Sequence, residues 1–211
     1  AIPRRQRQMC IRDSSNITKE DFDWAKRLNK TIKLVAQIDN SMDGFNARVY
    51  PVLVDSKHPL AAIRGALNAV VVEGENINQL VFSGPGAGSA PTASAIIGDV
   101  FSACHQMLSS QTNWYPLRTP KSGDKEFKDV QSSWFIRLSV KDEPGVLATI
   151  AGLFGENNVS IESVIQEGRG DNAELVLVTH EAEENNLTSS IESISKLSSV
   201  SSVTSTIRVY I

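Results

Sequence analysis

Two glycine-containing turns concentrate the chemistry that these residues offer. The run Gly84-Pro85-Gly86-Ala87-Gly88 stands between a β-like apolar stretch and a helical one. Its backbone N–H groups therefore converge near the positive end of a helix dipole, where an anion or an amide-bearing ring can be held. Glycine also permits a close approach that a Cβ would block. The spacing is neither the G-x-G-x-x-G of a dinucleotide-binding βαβ unit nor a P-loop ending in Lys-Ser/Thr, and a tight packing turn fits these residues equally well. The second turn, Asp142-Glu143-Pro144-Gly145, again leads a strand into a helix, with Asp142 predicted as the cap. A small zwitterion suits such a place: its carboxylate takes free N–H groups, while Asp142 or a strand residue such as Ser160 accepts from its ammonium. A helix cap without a ligand fits the same residues.

Other reactive side chains are scattered. His58, His105 and His180 adjoin no Cys, Ser or Asp pattern of a nucleophile or metal site, and Cys10 and Cys104 form no C-x-x-C pair. The run Glu181, Glu183, Glu184 precedes a helix, where the dipole favours carboxylates. No carboxylate pair or lysine marks a catalytic centre, and no metal site is expected.

The elements that must position these turns follow from periodicity. Thr18 with Asp21 reads as a capping box, followed by Phe22, Ala25 and Leu28 at helical spacing. Residues 32–38 and 47–54 read as strands, and Pro51 predicts an edge strand or a bulge. His58 precedes a short helix with Pro59 in its first turn. Residues 68–73 and 79–83 read as a hairpin of buried strands joined by Gly74-Glu75-Asn76. From Pro91 to Leu108 one helix face carries Ile96, Ile97, Val100, Phe101, Cys104, Met107 and Leu108. Residues 111–130 lose periodicity and gather prolines and charges, as a domain boundary does. Beyond them, Trp134, Ile136, Leu138 and Val140 alternate as a strand, and a helix carries Val146, Leu147, Ile150, Ala151 and Phe154 inward. Residues 160–166 and 174–180 form a strand pair, Leu187, Ile191, Ile194 and Leu197 line a second helix, and Val203, Ile207, Val209 and Ile211 sit in a last strand. The order βαββαβ is the ferredoxin-like arrangement.

Composition narrows the class. The 211 residues are 41% apolar and 21% charged, enough for one large domain or two small ones with real cores. No apolar run reaches the roughly 20 residues of a membrane-spanning helix, and a cytoplasmic protein is expected. The formal charge is −3, but Arg4, Arg5, Arg7 and Arg12 against Asp13 leave an acidic body that argues against nucleic-acid binding. Residues 4–14, RRQRQMCIRDS, resemble the translation of a transposon sequencing adapter. Residues 1–14 are accordingly expected to be an adapter-like disordered segment.

HPLAAIRGALNAVVVEG (58–74) followed by LVFSGPGAGSAPTASAIIGDV (80–100) resembles the C-terminal half of the catalytic region of homoserine dehydrogenase. DEPGVLATIAGLF with NVSIESVIQ resembles the ACT regulatory domain. The resemblance implies an α+β chain: residues 15–112 from the catalytic domain, a mixed or antiparallel sheet with helices; a linker at 113–131; and a βαββαβ ACT domain at 132–211. It implies NAD(P)-dependent interconversion of L-homoserine and L-aspartate 4-semialdehyde, on the route to threonine and methionine. Gly88, with Gly86 as its helper, matches the family glycine that touches the cofactor, NADP or NAD. Asp142, Gly145, Val146 and Ser160 match the usual ACT effector position, with threonine as the expected effector, and a homodimer is expected. The family's proton-donating lysine and substrate-binding acids match no residue of this sequence, so no catalytic residue is transferred, and the chain alone is expected to be inactive and to bind no cofactor. The alternative is a stand-alone ACT-type amino-acid sensor without catalysis.

Overall fold

Apolar runs bounded by turn residues become elements in the computed structural model, which describes residues 16–41, 44–109, 131–170 and 173–210. In chain order these are α1 (Lys19–Arg27), β1 (Lys30–Ser41), β2 (Gly44–Asp55), a 3-10 turn (Pro59–Ala62), β3 (Leu67–Gly74), β4 (Asn78–Pro85) and α2 (Ser89–Ser109). They continue with β5 (Gln131–Val140), α3 (Val146–Glu156), β6 (Ile161–Glu167), β7 (Ala173–Thr179), β8 (Ala182–Glu183), α4 (Glu184–Ile194) and β9 (Val200–Val209). Packing gathers them into two units, Ala1–Ser56 with Lys121–Ile211, and Lys57–Pro120. The basic head 1–14 and nearly all of the 113–131 linker lie outside the described residues.

The sheet of the first unit runs β1-β2-β9-β5-β7-β6. Its last four strands are antiparallel neighbours in the ferredoxin-like order. The β1/β2 hairpin extends that sheet through a short parallel pairing of Val52 and Leu53 with Arg208 and Val209. Pro51 is therefore not on an edge strand. The pairing with β9 begins one residue after it, so on that side its missing N–H removes no ladder bond.

Both faces of β5 are covered. On one face α3 and α4 close a core containing Trp134, Ile136, Leu138, Val140, Ile150, Phe154, Leu187 and Ile194, the alternation that the sequence predicts. On the other, Trp24 and Ala25 of α1 pack with Phe135, Val176, Val178, Ile207 and Leu53. The last strand departs from simple alternation. Leu138 pairs with Val203 but Arg137 with Ser205, so the extra residue Thr204 forms a bulge. Val203 consequently packs on the α3/α4 side, whereas Ile207 and Val209 pack on the α1 side. Ile211 lies outside the described residues.

A buried cation fixes α1 to the sheet. Arg137, 4% exposed, points into the α1 face; its Nε donates to Asp21 Oδ1 at 2.9 Å, its Nη1 to Glu174 Oε1 at 2.7 Å and its Nη2 to Thr18 Oγ1 at 2.9 Å. Asp21 is fully buried and also accepts the Thr18 N–H at 2.7 Å, so one carboxylate serves both the helix start and the buried guanidinium. Burial pulls the Arg137 pKa down, but its bonds with Glu174 and Asp21 outweigh this and raise it above the ordinary arginine value. Trp24 Nε1 donates to Glu174 Oε2 at 2.8 Å, and Arg27 makes a two-pronged ion pair with Glu167 at the end of β6. A second clamp holds the hairpin: Arg208 of β9 lies between the Tyr50 and Trp134 rings, 4.5 and 4.3 Å from their centroids, and its Nη2 donates to Glu184 at 2.7 Å.

The second unit contrasts with the first. Its strands β3 and β4 form the predicted antiparallel hairpin, but they are not buried: Val70, Leu80 and Phe82 are exposed, as are Ile96, Val100, Phe101, Met107 and Leu108 along α2. Of residues 57–108 only Ala61 is buried. The sequence pattern was correct about which faces are apolar. No described residue covers them.

Breaking the buried pair from one side should be costly. Arg137→Met strands Asp21 inside the protein and should lower the unfolding free energy by about 3–5 kcal/mol in urea titrations, whereas the double change Asp21→Leu with Arg137→Met should recover most of it.

Candidate functional site

The cleft at the end of β5 is assembled from backbone. Lys141 N donates to Ser199 O at 2.9 Å and Asp142 N to Gly170 O at 2.8 Å, which pins the chain as it leaves the sheet. Gly145 then adopts a left-handed conformation, φ +94°, and acts as the N-cap of α3. Asp142 is thus not the cap that the sequence predicts. The helix starts after a glycine that supplies no capping side chain, and its first-turn N–H groups have no side-chain acceptor. Asp142 is instead held across the cleft, where Gln166 Nε2 donates to its Oδ1 at 2.8 Å.

These groups enclose about 370 Å³, lined by Val140, Asp142, Gly145, Val146, Gln166 and Leu175 among others. Val146 N makes a long 3.3 Å bond to Glu143 O; apolar walls, a helix N-terminus without a side-chain cap and a carboxylate opposite it suit a small molecule carrying both charges. Of the four residues predicted for this site, Asp142, Gly145 and Val146 come together. Ser160 is not part of the lining; it precedes the first residue of β6, whereas Gln166 sits near the strand's other end. A bulge explains the difference. Ile161 pairs with Thr179 and Ser163 with Val178, leaving Glu162 unpaired, so Ile161 packs on the α3/α4 side and Ile165 on the α1 side. Plain alternation puts Ser160 and Gln166 on one face; the bulge reverses it. Gln166 was the residue that sequence reasoning missed.

The other glycine turn is exposed between β4 and α2. Gly86 N donates to Ala66 O at 3.0 Å, and a Cβ on Gly86 would meet the side-chain amide of Asn68, an exposed residue that would have to swing aside. Gly88 has φ +133°, which L side chains rarely adopt, and its carbonyl accepts from Thr92 N at 3.1 Å. His58 bonds a loop backbone, as Leu60 N donates to its Nδ1 at 3.2 Å; His105 is exposed. Among the described residues no group of His, Cys, Asp and Glu could hold a metal.

Comparison with known proteins bears on both turns. Residues 4–101 match the homoserine dehydrogenase family model, and residues 134–199 match the ACT domain. The chain belongs to the homoserine dehydrogenase family and carries an ACT domain. It is 34% identical to homoserine dehydrogenase of Bacillus subtilis over 203 residues, covering 94% of this chain and 47% of that protein. It is 39% identical to that of Mycobacterium leprae, over 92% of this chain and 47% of the relative. A crystal structure of a homoserine dehydrogenase from Thiobacillus denitrificans superposes with a TM-score of 0.85 at 29% identity, over 93% of this chain and 46% of that one. The chain thus spans about half the length of the curated relatives it matches. The α+β architecture expected of the family is present, with the ACT match following the homoserine dehydrogenase match.

Two glycines should respond oppositely to alanine. Gly145→Ala forces a side chain into the left-handed region and should destabilise the protein by about 1–2 kcal/mol. Gly152, on the exposed side of α3 with open space around it, should gain up to about 1 kcal/mol as Gly152→Ala. Chemical denaturation of both variants checks the pair of signs.

Proposed function

We propose that this chain is the C-terminal part of a homoserine dehydrogenase, the enzyme of NAD(P)-dependent interconversion of L-homoserine and L-aspartate 4-semialdehyde in the cytoplasm. Residues 15–112 belong to its catalytic domain, residues 113–131 link the two parts, and residues 132–211 form a regulatory ACT domain that binds threonine. The observation that carries this is the match of 93% of the chain, both parts in order, to the Thiobacillus denitrificans structure. A stand-alone sensor gives no account of residues 57–108, whose apolar side chains lie open although a sensor has no further sheet to cover them.

The glycine turn fits one edge of a nicotinamide cofactor. It is reachable, and it precedes a 21-residue helix whose dipole favours a polar or anionic group there. Gly88, with Gly86 shaping the turn, would lie against the cofactor, which supplies or accepts the hydride when bound. Neither glycine can hold a dinucleotide or move a proton. The polypeptide alone therefore lacks most of the positioning and acid–base contribution that the reaction needs. The purified chain should show no homoserine oxidation at any NAD+ or NADP+ concentration, and measurable turnover in a spectrophotometric assay would overturn this.

In the ACT cleft, the first-turn N–H groups of α3 take the threonine carboxylate, while Asp142 takes the ammonium. Calorimetric titration with L-threonine should show saturable heat that Asp142→Ala removes. Absence of heat with threonine, methionine or lysine would leave the domain a structural one.

The exposed faces of β3, β4 and α2 serve a homodimer. Sedimentation should show self-association at micromolar concentration, weakened by Phe82→Asp with Phe101→Asp; a strictly monomeric chain would exclude it.

A further inference from the structure

Effector cleft and α1 latch lie on opposite faces of the same strand pair. Gln166 and Leu175, which line the cleft, are direct partners across β6 and β7. The next rung pairs Glu167 with Glu174, and both of these side chains face α1. Glu167 holds Arg27, while Glu174 accepts from Trp24 and Arg137. Side chains of successive residues point to opposite faces, about 3.3 Å apart along the strand, so one rung cannot shift without the other. Glu167 is also the last residue of β6, an edge strand, and is therefore the least constrained member of the latch.

We propose that an α-amino acid in the cleft tightens the docking of α1 on the sheet, with the Gln166/Leu175 and Glu167/Glu174 rungs as the connection. This rests on the assignment of the cleft as an effector site. The Gln166 amide donates to Asp142. A ligand ammonium competes for that carboxylate, and the Gln166 amide is freed to donate to the ligand carboxylate. The end of β6 is then held from the cleft side, which orders Glu167 for its two-pronged bond with Arg27. Coupling is reciprocal: whatever factor the ligand adds to α1 docking, loss of the latch removes from ligand affinity. An exposed ion pair of this kind supports a factor of about two to five.

The test uses the full chain and L-threonine. Hydrogen exchange of the residue 19–27 amides should slow about two- to fivefold at saturating threonine. By calorimetry, Arg27→Gln and Glu167→Gln should each weaken threonine binding by the same factor, whereas Lys26→Gln, on the same helix but outside the latch, should leave it unchanged. All three positions are exposed, and far-UV circular dichroism verifies that the variants fold. Saturable heat with unchanged or faster exchange in α1, or with equal affinities in all variants, overturns the coupling and leaves the effector site standing. No heat with threonine in the unaltered chain overturns both.

Discussion

A guanidinium inside a β-sheet has to be neutralised where it lies, and the carboxylates that neutralise Arg137 come from distant stretches of chain. Asp21 belongs to α1 and Glu174 to β7. A nine-residue helix is too short to persist alone in water, so α1 exists because Asp21 and Trp24 have somewhere to go. Since Asp21 also receives the Thr18 N–H, forming the first turn and docking the helix are one event. The sheet in turn needs α1, because Phe135, Val176 and Ile207 would otherwise stand open on its second face.

This mutual dependence organises what the chain can do. A ferredoxin-like fold ordinarily has one helix-covered face and one bare one. Here the bare face is claimed by an element preceding the hairpin, and the hairpin itself lengthens the sheet at the β9 edge. The cleft lined by Asp142, Gly145 and Gln166 remains accessible at the strand ends beside α3. The 57–108 stretch has the opposite character, presenting apolar strands and a long apolar helix with almost nothing buried. One part carries two buried clusters, while among the described residues of the other only Ala61 is buried.

Much of this was legible in the residues. The βαββαβ order, the capping box at Thr18 and Asp21, the hairpins and both turns follow from period, capping and turn chemistry. Three kinds of feature were not. Strand bulges at Glu162 and Thr204 carry no distinctive residue, so alternation failed across them and with it the placement of Ser160 and of Val203. The cleft role of Gln166 depends on which strand lies beside Asp142, a long-range fact. Arg137 reads locally as a polar residue between Ile136 and Leu138, and only the distant Asp21 shows it to be buried; Phe135 beside Trp134 and Ile136 was the available hint that both faces are covered. The predicted burial of β3 and β4 erred because an apolar pattern reports affinity for a cover without supplying one.

The discontinuity of the first unit has a consequence for synthesis. Helix α1 and the β1/β2 hairpin leave the ribosome before residues 57–120, and the strands that receive them, β5, β7 and β9, only after that stretch. At ordinary translation speeds the interval is on the order of ten seconds or more. During it Trp24, Leu53 and the unpaired edge of β2 are open to the nascent chain's surroundings. Docking of α1 is thus postponed until residues 57–120 and then β5, β7 and β9 have been made, and every residue in between lengthens the wait.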